Sequence, residues 1–460
     1  MTATANLATR LEGVLGAHHV VAAEEALLTY AVDGVMPAVI VRPASALEVA
    51  ETVRFAIAEK LAILACGSRS KMDIGMPPTR YDIAMDTTAQ HEIAHFDADD
   101  LTLSVDPGIP LRKLEGILAE KHQFLPLAVP CYEGSTAGGA IASGIDSVLR
   151  QQYGTARDFL IGAEFVDGKG NLCRSGGRVV KNVTGYDLHK LLIGSLGTLG
   201  VITRLNFRTF PLPQSSGGHV VAFTSAENAL AHRESLENSG LPLANLEVLS
   251  PEVTTMVTAI LRRGGAEVPA SLEGSGWLVY VSYEGNPAII RRISDHLERA
   301  ARANDALRSE VLEGAADENL GGMLREAFEW LRWAAPGVLL FRIVLGKITS
   351  GDLGELTRAA EAASLRATLL LRAAGIAYVA ILAEDEEEDT LEQFEKIVAD
   401  VCMRVSARSG HSTLLHAPEG LKSRVNVWGP ERADLGLMRR VKLAFDPQNI
   451  FAPGRFVGGL

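Results

Sequence analysis

Residues Leu61–Gly75 read LAILACGSRSKMDIG, and this stretch decides the fold. Leu61–Ala65 is a short apolar run of strand character. The chain then turns through Cys66, Gly67, Ser68, Arg69, Ser70 and Lys71 and closes at Gly75. Consecutive backbone N–H groups in such a turn make an anion nest. Hydroxyls and the Arg69 guanidinium add donors suited to a pyrophosphate. Taken alone, the same segment also reads as a surface turn of ordinary small residues.

Strand and helix alternate around it. Upstream, Ala38–Arg42 (AVIVR) is a β-branched run stopped by Pro43, and Ser45 with Glu48 forms a capping box for a helix bearing Val49, Val53, Ala56 and Ile57 on one face. Downstream, Asp82–Asp86 and Leu101–Val105 read as strands and Pro110–Lys121 as a helix. From about Pro126 to Gly200 glycine becomes dense, as suits backbone wrapped tightly around something. Pro130–Gly144 (PCYEGSTAGGAIASG) offers a second set of backbone donors. Lys181–Asp187 (KNVTGYD) places a lysine, an amide and a tyrosine ahead of Gly200, Val201 and Ile202.

Pro211–Gly218 (PLPQSSGG) reads as a linker, and beyond it the pattern becomes α+β. Strands are expected at Val220–Phe223, Gly276–Tyr283, Val338–Leu345, Ala367–Leu371 and Ile376–Leu382. Helices are expected at Glu227–Ser239, Pro287–Arg302, Leu353–Ala363 and Leu391–Ala407, all on one face of a sheet. The acidic run Glu384–Asp389 suits a helix N-terminus.

Composition narrows the function classes. The chain has 460 residues, 47% of them hydrophobic and 22% charged, enough apolar surface for large cores. Its formal net charge is −12, which argues against tracking nucleic-acid phosphates. Cys66, Cys131, Cys173 and Cys402 form no close pair, hence neither a disulfide framework nor a metal knuckle. No signal peptide or membrane-length apolar run is read, and a cytoplasmic location is expected. The phosphate loop GxxxxGK[ST], GxGxxG after the first strand, GxSxG and HExxH are all missing.

These segments, in this order and spacing, resemble the vanillyl-alcohol oxidase/PCMH-type FAD-binding family. GSRSKMDIG, TAGGAIASG, YGTARDFLIGAEFVDGKG, GGRVVKNVTGYDLHKLLIGSLGTLGVIT, LKSRVNVWGP and the terminal FDPQNIFAPGRF are similar to the FAD-binding accessory subunits of bacterial glycolate oxidases. The resemblance implies an α+β fold: a PCMH-type two-subdomain FAD-binding domain at 33–215, a ferredoxin-like α+β cap at 216–420, and a segment at 421–460 returning to the FAD domain. It implies that Cys66, Gly67, Ser68, Arg69, Ser70 and Lys71 line a pyrophosphate turn. Pro130, Gly134, Ser135, Thr136, Gly138, Gly139, Ser143 and Gly144 would approach the flavin. Tyr153, Gly154 and Asp158 would form a YGxxxD turn. Lys181, Asn182 and Tyr186 would lie near the ring, with Gly200 and Val201 at the adenine side. For Lys181 a structural salt bridge, and for Tyr186 core packing, stand as alternatives.

The resemblance further implies non-covalent FAD, since no histidine lies in Cys66–Gly75, and Cys131 reads as a small buried hydrophobe rather than a flavin attachment. Partners would be a catalytic flavin subunit and an iron–sulfur subunit of one 2-hydroxy-acid dehydrogenase complex. Nucleic acid is not expected, and membrane association would be at most peripheral. Catalytic relatives carry HxGDGNxH on a cap strand. The aligned residues here are Leu371–Tyr378, which contain no histidine. Leu196 stands where those relatives carry an acidic residue. No catalytic residue is therefore assigned. His411 and His416 lie at opposite parity on a strand, so no metal site is assigned either. The alternative is a free-standing FAD-dependent dehydrogenase with another base.

Overall fold

The computed structural model describes residues 3–178, 185–274, 276–373 and 375–460. Its first sheet is built from the largely apolar runs β1 (Val20–Val21), β2 (Val39–Val41), β3 (Ile63–Cys66) and β4 (Ile83–Asp86), in the order β1-β2-β4-β3. β2, β4 and β3 run parallel, and their fully buried residues fit a sheet covered on both faces. The helix Ala46–Glu59 crosses between β2 and β3. Ser45 caps it by accepting from Glu48 N at 3.2 Å, and Val49, Val53 and Ala56 face inward, as the capping box predicts.

The second sheet is antiparallel. β5 (Ile93–Asp97), β6 (Thr102–Val105), β8 (Leu160–Val166), β9 (Leu172–Gly176) and β10 (Val201–Arg208) take the order β5-β6-β10-β8-β9. A short pair, β7 (Gln123–Phe124) with β11 (Phe210–Pro211), flanks it. The chain end returns to the first sheet: Ile63 N donates to Ile450 O at 2.7 Å and Ala452 N to Ile63 O at 2.8 Å. The buried Lys442 ammonium holds this return, donating to Asp446 Oδ2 (2.7 Å), Thr198 O (2.9 Å) and Phe451 O (2.8 Å).

The remaining strands form one eight-stranded sheet: β12 (Ser215–Phe223), β13 (Leu243–Leu249), β14 (Trp277–Gly285), β15 (Arg308–Leu312), β16 (Gly337–Val344), β17 (Arg366–Arg372), β18 (Ile376–Ala383) and β19 (His411–His416). The order is β15-β12-β14-β13-β17-β18-β16-β19. Each run of four follows the βαββαβ order, the first with an extra helix Pro251–Arg263 between its second and third strands, and has its first strand between its third and fourth, so the sheet is two ferredoxin-like halves joined edge to edge. The join is short, with only Val248↔Leu371 and Leu249↔Leu370 paired.

Two expectations are corrected. Ser215–Gly218 is not linker but the start of β12, paired with Ser282–Gly285. Its glycines are there for packing: a Cβ on Gly217 would meet the Tyr283 ring at 3.1 Å, and one on Gly218 would meet Asp317 Oδ1 at 2.0 Å. The helices also cover both faces rather than one. The four expected helices pack one core. Pro251–Arg263, Ala315–Arg325 and Ala327–Arg332 pack the other, where Ile74 and Ile145 of the N-terminal half join them.

Candidate FAD site

A cleft runs between the two N-terminal sheets, where β3 meets the helix Ala137–Ser143. One lobe is lined by Leu64–Met72, Gly139, Ala142, Ser143, Leu196 and Arg455. The other continues along Gly67, Thr87, Pro107, Gly138, Gly197 and Gly200–Ile202. The β3 turn therefore lies where the sequence places it. No hydrogen bond within the described residues reaches the backbone N–H of Ser68, Arg69, Ser70 or Lys71. Half-buried N–H groups are rarely left unpaired, so this turn has donors available for a ligand. Arg69 and Leu196 hold left-handed backbone at φ 66° and 51°, a strained conformation that clusters at ligand clamps.

The Arg69 guanidinium stacks over the Tyr30 ring, 4.0 Å from its centroid, instead of standing free. Tyr30 in turn donates to Asp86 Oδ2 and accepts from Arg42 at 3.2 Å. Lys71 is buried, and its ammonium donates to Ser135 Oγ and to Ser70 Oγ at 3.3 Å. Burial pulls its pKa below the ordinary lysine value. Cys66 is sealed under the turn, and burial pushes its thiol up.

The Pro130–Gly144 stretch differs from the expectation of free backbone donors. Cys131 N and Tyr132 N donate to Glu326 at 2.6 and 3.3 Å, Gly138 N to Pro107 O at 2.7 Å, and Gly139 N to Thr136 Oγ1 at 3.2 Å. What it contributes is the absence of side chains. A Cβ on Gly67 would sit 2.1 Å from Thr136 Oγ1, and one on Gly138 would sit 2.7 Å from Pro107 Cβ. Gly144 is needed where it lies against Gly194 (φ 62°; an added Cβ would fall 2.6 Å from Gly194 Cα). Gly134 is exposed and Pro130 buried, and neither lines the cleft. Cys131 Sγ donates to Glu329 Oε2 at 2.9 Å, and burial pushes the thiol up to about 12.

Tyr153, Gly154 and Asp158 have protein partners. The Tyr153 hydroxyl donates to Glu284 Oε2 at 2.5 Å, its ring packs edge-on to Phe124 and Phe210, and Asp158 accepts from Thr155 N at 2.7 Å. Tyr186 is 89% exposed. Lys181 and Asn182 lie outside the described residues.

Sequence reasoning missed Arg455. The terminal FDPQNIFAPGRF motif was visible, but only the return of the chain beside β3 brings its arginine into the cleft. The residues present fit a dinucleotide: glycine-walled space, a turn with available N–H groups, and a buried arginine whose Nη1 has no partner.

Comparison with known proteins agrees with that geometry. Residues 37–176 match the FAD binding domain family, and residues 373–456 match the C-terminal domain of FAD linked oxidases. Glycolate oxidase subunit GlcE of Escherichia coli is 37% identical over 167 residues, which is 36% of this chain and about half (47%) of that protein. Glycolate oxidase subunit GlcD of Bacillus subtilis is 22% identical across 91% of this chain and 89% of its own length. The D-lactate dehydrogenase of Archaeoglobus fulgidus is 27% identical across 91% of each. Among solved structures, 4-ethylphenol oxidase from Gulosibacter chungangensis superposes with a TM-score of 0.77 at 14% identity, covering 99% of this chain and 97% of that one. A p-cresol methylhydroxylase matches with the same TM-score at 16% identity, over 99% and 97%. At those identities the likeness bears on the fold. The chain thus carries an FAD binding domain and the C-terminal domain of FAD linked oxidases, the make-up of an FAD-linked oxidoreductase, and FAD is its cofactor.

Proposed function

We propose that this chain is the FAD-carrying electron-transfer subunit of a glycolate/D-lactate-type 2-hydroxy-acid dehydrogenase complex, placed between a catalytic flavin subunit and an iron–sulfur subunit. Bound FAD supplies a redox centre that accepts and passes on electrons. The protein's part is to hold it: the Ser68–Lys71 N–H groups and Arg455 would meet the diphosphate, and the glycine walls would admit the rest. We further infer a functional division at 33–215, 216–420 and 421–460, with the first unit extended back to include β1 (Val20–Val21), which pairs with β2; the boundary near 215 is supported by β11 ending at Pro211 and β12 opening the next sheet at Ser215.

One observation carries the electron-transfer assignment. On the β17–β18 hairpin, where catalytic relatives are expected to carry histidines, this chain has Arg372 sealed in an ion pair with Glu247 (Nε–Oε1 2.6 Å). A positioned base contributes about 10²–10⁴-fold to abstraction of a hydroxyl proton, and this hairpin offers none. The test is anaerobic mixing of the purified holoprotein with excess glycolate or D-lactate while following flavin absorbance. No bleaching is expected until a catalytic partner is added. Rapid bleaching by substrate alone would refute the assignment.

A second assignment, a free-standing dehydrogenase, is favoured by one feature. Lys71 lines the cleft with its pKa lowered by burial, which suits an amine to act as a base. Under that assignment Lys71→Met abolishes bleaching by substrate while FAD stays bound.

A further inference from the structure

Arg455 is 2% exposed and lines the cleft beside the Gly67–Met72 turn. Its Nη2 donates to Met72 O at 2.6 Å and Ile74 O at 2.5 Å, while Nη1 has no partner. Among the described residues no carboxylate pairs with it. The nearest acids are committed elsewhere, Asp33 to the Lys422 ammonium at 2.8 Å and Asp73 to Arg332 at 3.4 Å. A guanidinium stays charged in proteins, and sealing it away from water without an anion is strongly unfavourable. Burial accordingly draws its pKa down. A buried, fixed cation with one N–H set unused needs an anion, and the anionic part of FAD is its diphosphate.

We propose that Arg455 is the fixed counter-charge of the FAD diphosphate, delivered to the pyrophosphate turn by the returning C-terminal segment. This rests on FAD being the cofactor and adds a phosphate ligand 383 residues away in sequence from the turn it completes. The competing role is mechanical: Arg455 braces the turn through the Met72 and Ile74 carbonyls, and its charge is incidental. Asp33 Oδ2 is also unpartnered, so a buried Asp33–Arg455 couple is a third possibility that the test has to separate.

The two main roles predict opposite orders for two substitutions. Arg455→Gln keeps an N–H donor for the carbonyls and loses the charge. Arg455→Lys keeps the charge and loses the fork. Apoprotein of the full chain is titrated with FAD, followed by flavin fluorescence, at low and at moderate salt. Arg455→Gln is expected to weaken FAD binding by about 10- to 100-fold, the size of one lost charge-assisted bond. It should also flatten the salt dependence, because one screened charge pair is gone. Arg455→Lys is expected to stay within about fivefold of the parent and to keep its salt dependence. The reverse order, or equal loss in both variants, would overturn the proposal. So would an Asp33→Asn variant that reproduces the Arg455→Gln loss. If Arg455→Gln does not fold, the Lys variant still decides: FAD affinity kept within about fivefold of the parent supports the charge role, and a loss of about tenfold or more overturns it. A parent chain that binds no FAD at all would instead refute the cofactor assignment.

Discussion

Replacing Arg372 by methionine isolates the energetics of the cap's sealed ion pair. Arg372 and Glu247 are 1% and 0% exposed, and their link ties β17 to β13 across the short join between the two ferredoxin-like halves. The guanidinium also donates to Leu324 O at 2.9 Å, and its carbonyl accepts from Arg233 at 3.0 Å. Methionine fills much of the volume but removes the ion-pair partner of Glu247, whose Oε2 already lacks a hydrogen bond. Breaking a buried pair from one side costs about 3–5 kcal/mol. For a unit of this size that is a fall in Tm of roughly 6–20 °C. The deficit should depend on pH. Burial already raises the Glu247 carboxyl pKa against the pull of Arg372, and losing Arg372 removes the largest opposing interaction and leaves only Asn245 and Arg233 against it. With the folded pKa above the unfolded value of about 4.3, the folded variant holds the proton longer. Its stability is then greatest below about pH 4 and declines as pH rises, by about 1.4 kcal/mol per unit, until the folded pKa is passed. Glu247→Gln should lose similar stability with no such slope, because the stranded arginine does not titrate. Urea unfolding at several pH values, read by tryptophan fluorescence, measures this, since Trp277, Trp330 and Trp333 all sit in this unit. A deficit for Arg372→Met under about 1 kcal/mol, or one flat between pH 5 and 8, would refute the reasoning.

Gly139→Val should leave far-UV circular dichroism intact and abolish FAD retention, because Gly139 lines the cleft and an added Cβ meets only Thr136 Oγ1 at 3.1 Å. Gly138→Ala should do the opposite in kind, lowering Tm, because its Cβ would meet the Pro107 backbone oxygen at 2.9 Å; full flavin occupancy in the first variant or an unchanged Tm in the second would count against these roles. Burial raises Asp317 to about 6 despite its bond from the Tyr280 hydroxyl at 2.8 Å. Its folded pKa exceeds the unfolded one, so stability should fall by up to about 3 kcal/mol as pH rises from about 4 through 6, and Asp317→Asn should flatten that part of the profile in a pH series of unfolding measurements.

Local chemistry was legible in the chain and long-range placement was not. The run Leu61–Ala65, the polar turn and the Ser45 cap could be seen because strand, nest and cap are set by neighbours in sequence. The donors of Pro130–Gly144 were misjudged because their acceptors, Pro107 and Glu326, are remote. Ser215–Gly218 looked like linker because glycine forced by the Tyr283 ring and Asp317 is indistinguishable in sequence from glycine used for flexibility. The doubled βαββαβ pattern was hidden for a related reason. Strands such as Leu243–Leu249 and Arg308–Leu312 carry little signal of their own and are defined by the partners they pair with. Arg455 is the extreme case, since its environment is supplied by residues 72–74.

The return of the chain end to β3 also sets an order of events during synthesis. Ile63 and its turn leave the ribosome early, yet Arg455 and the Ile450–Ala452 segment that bridges to Ile63 are not translated until the entire eight-stranded unit has been made. At 5–20 residues per second that interval is on the order of 20–80 s. Through it the nascent N-terminal half carries an open edge at Ile63 and an incomplete nucleotide cleft, so it is exposed to chaperones and proteases before it can be protected by its cofactor. The C-terminal unit, whose contacts are made largely within itself, is free to collapse first. Cofactor loading is thereby expected to wait until Ile450–Arg455 has docked.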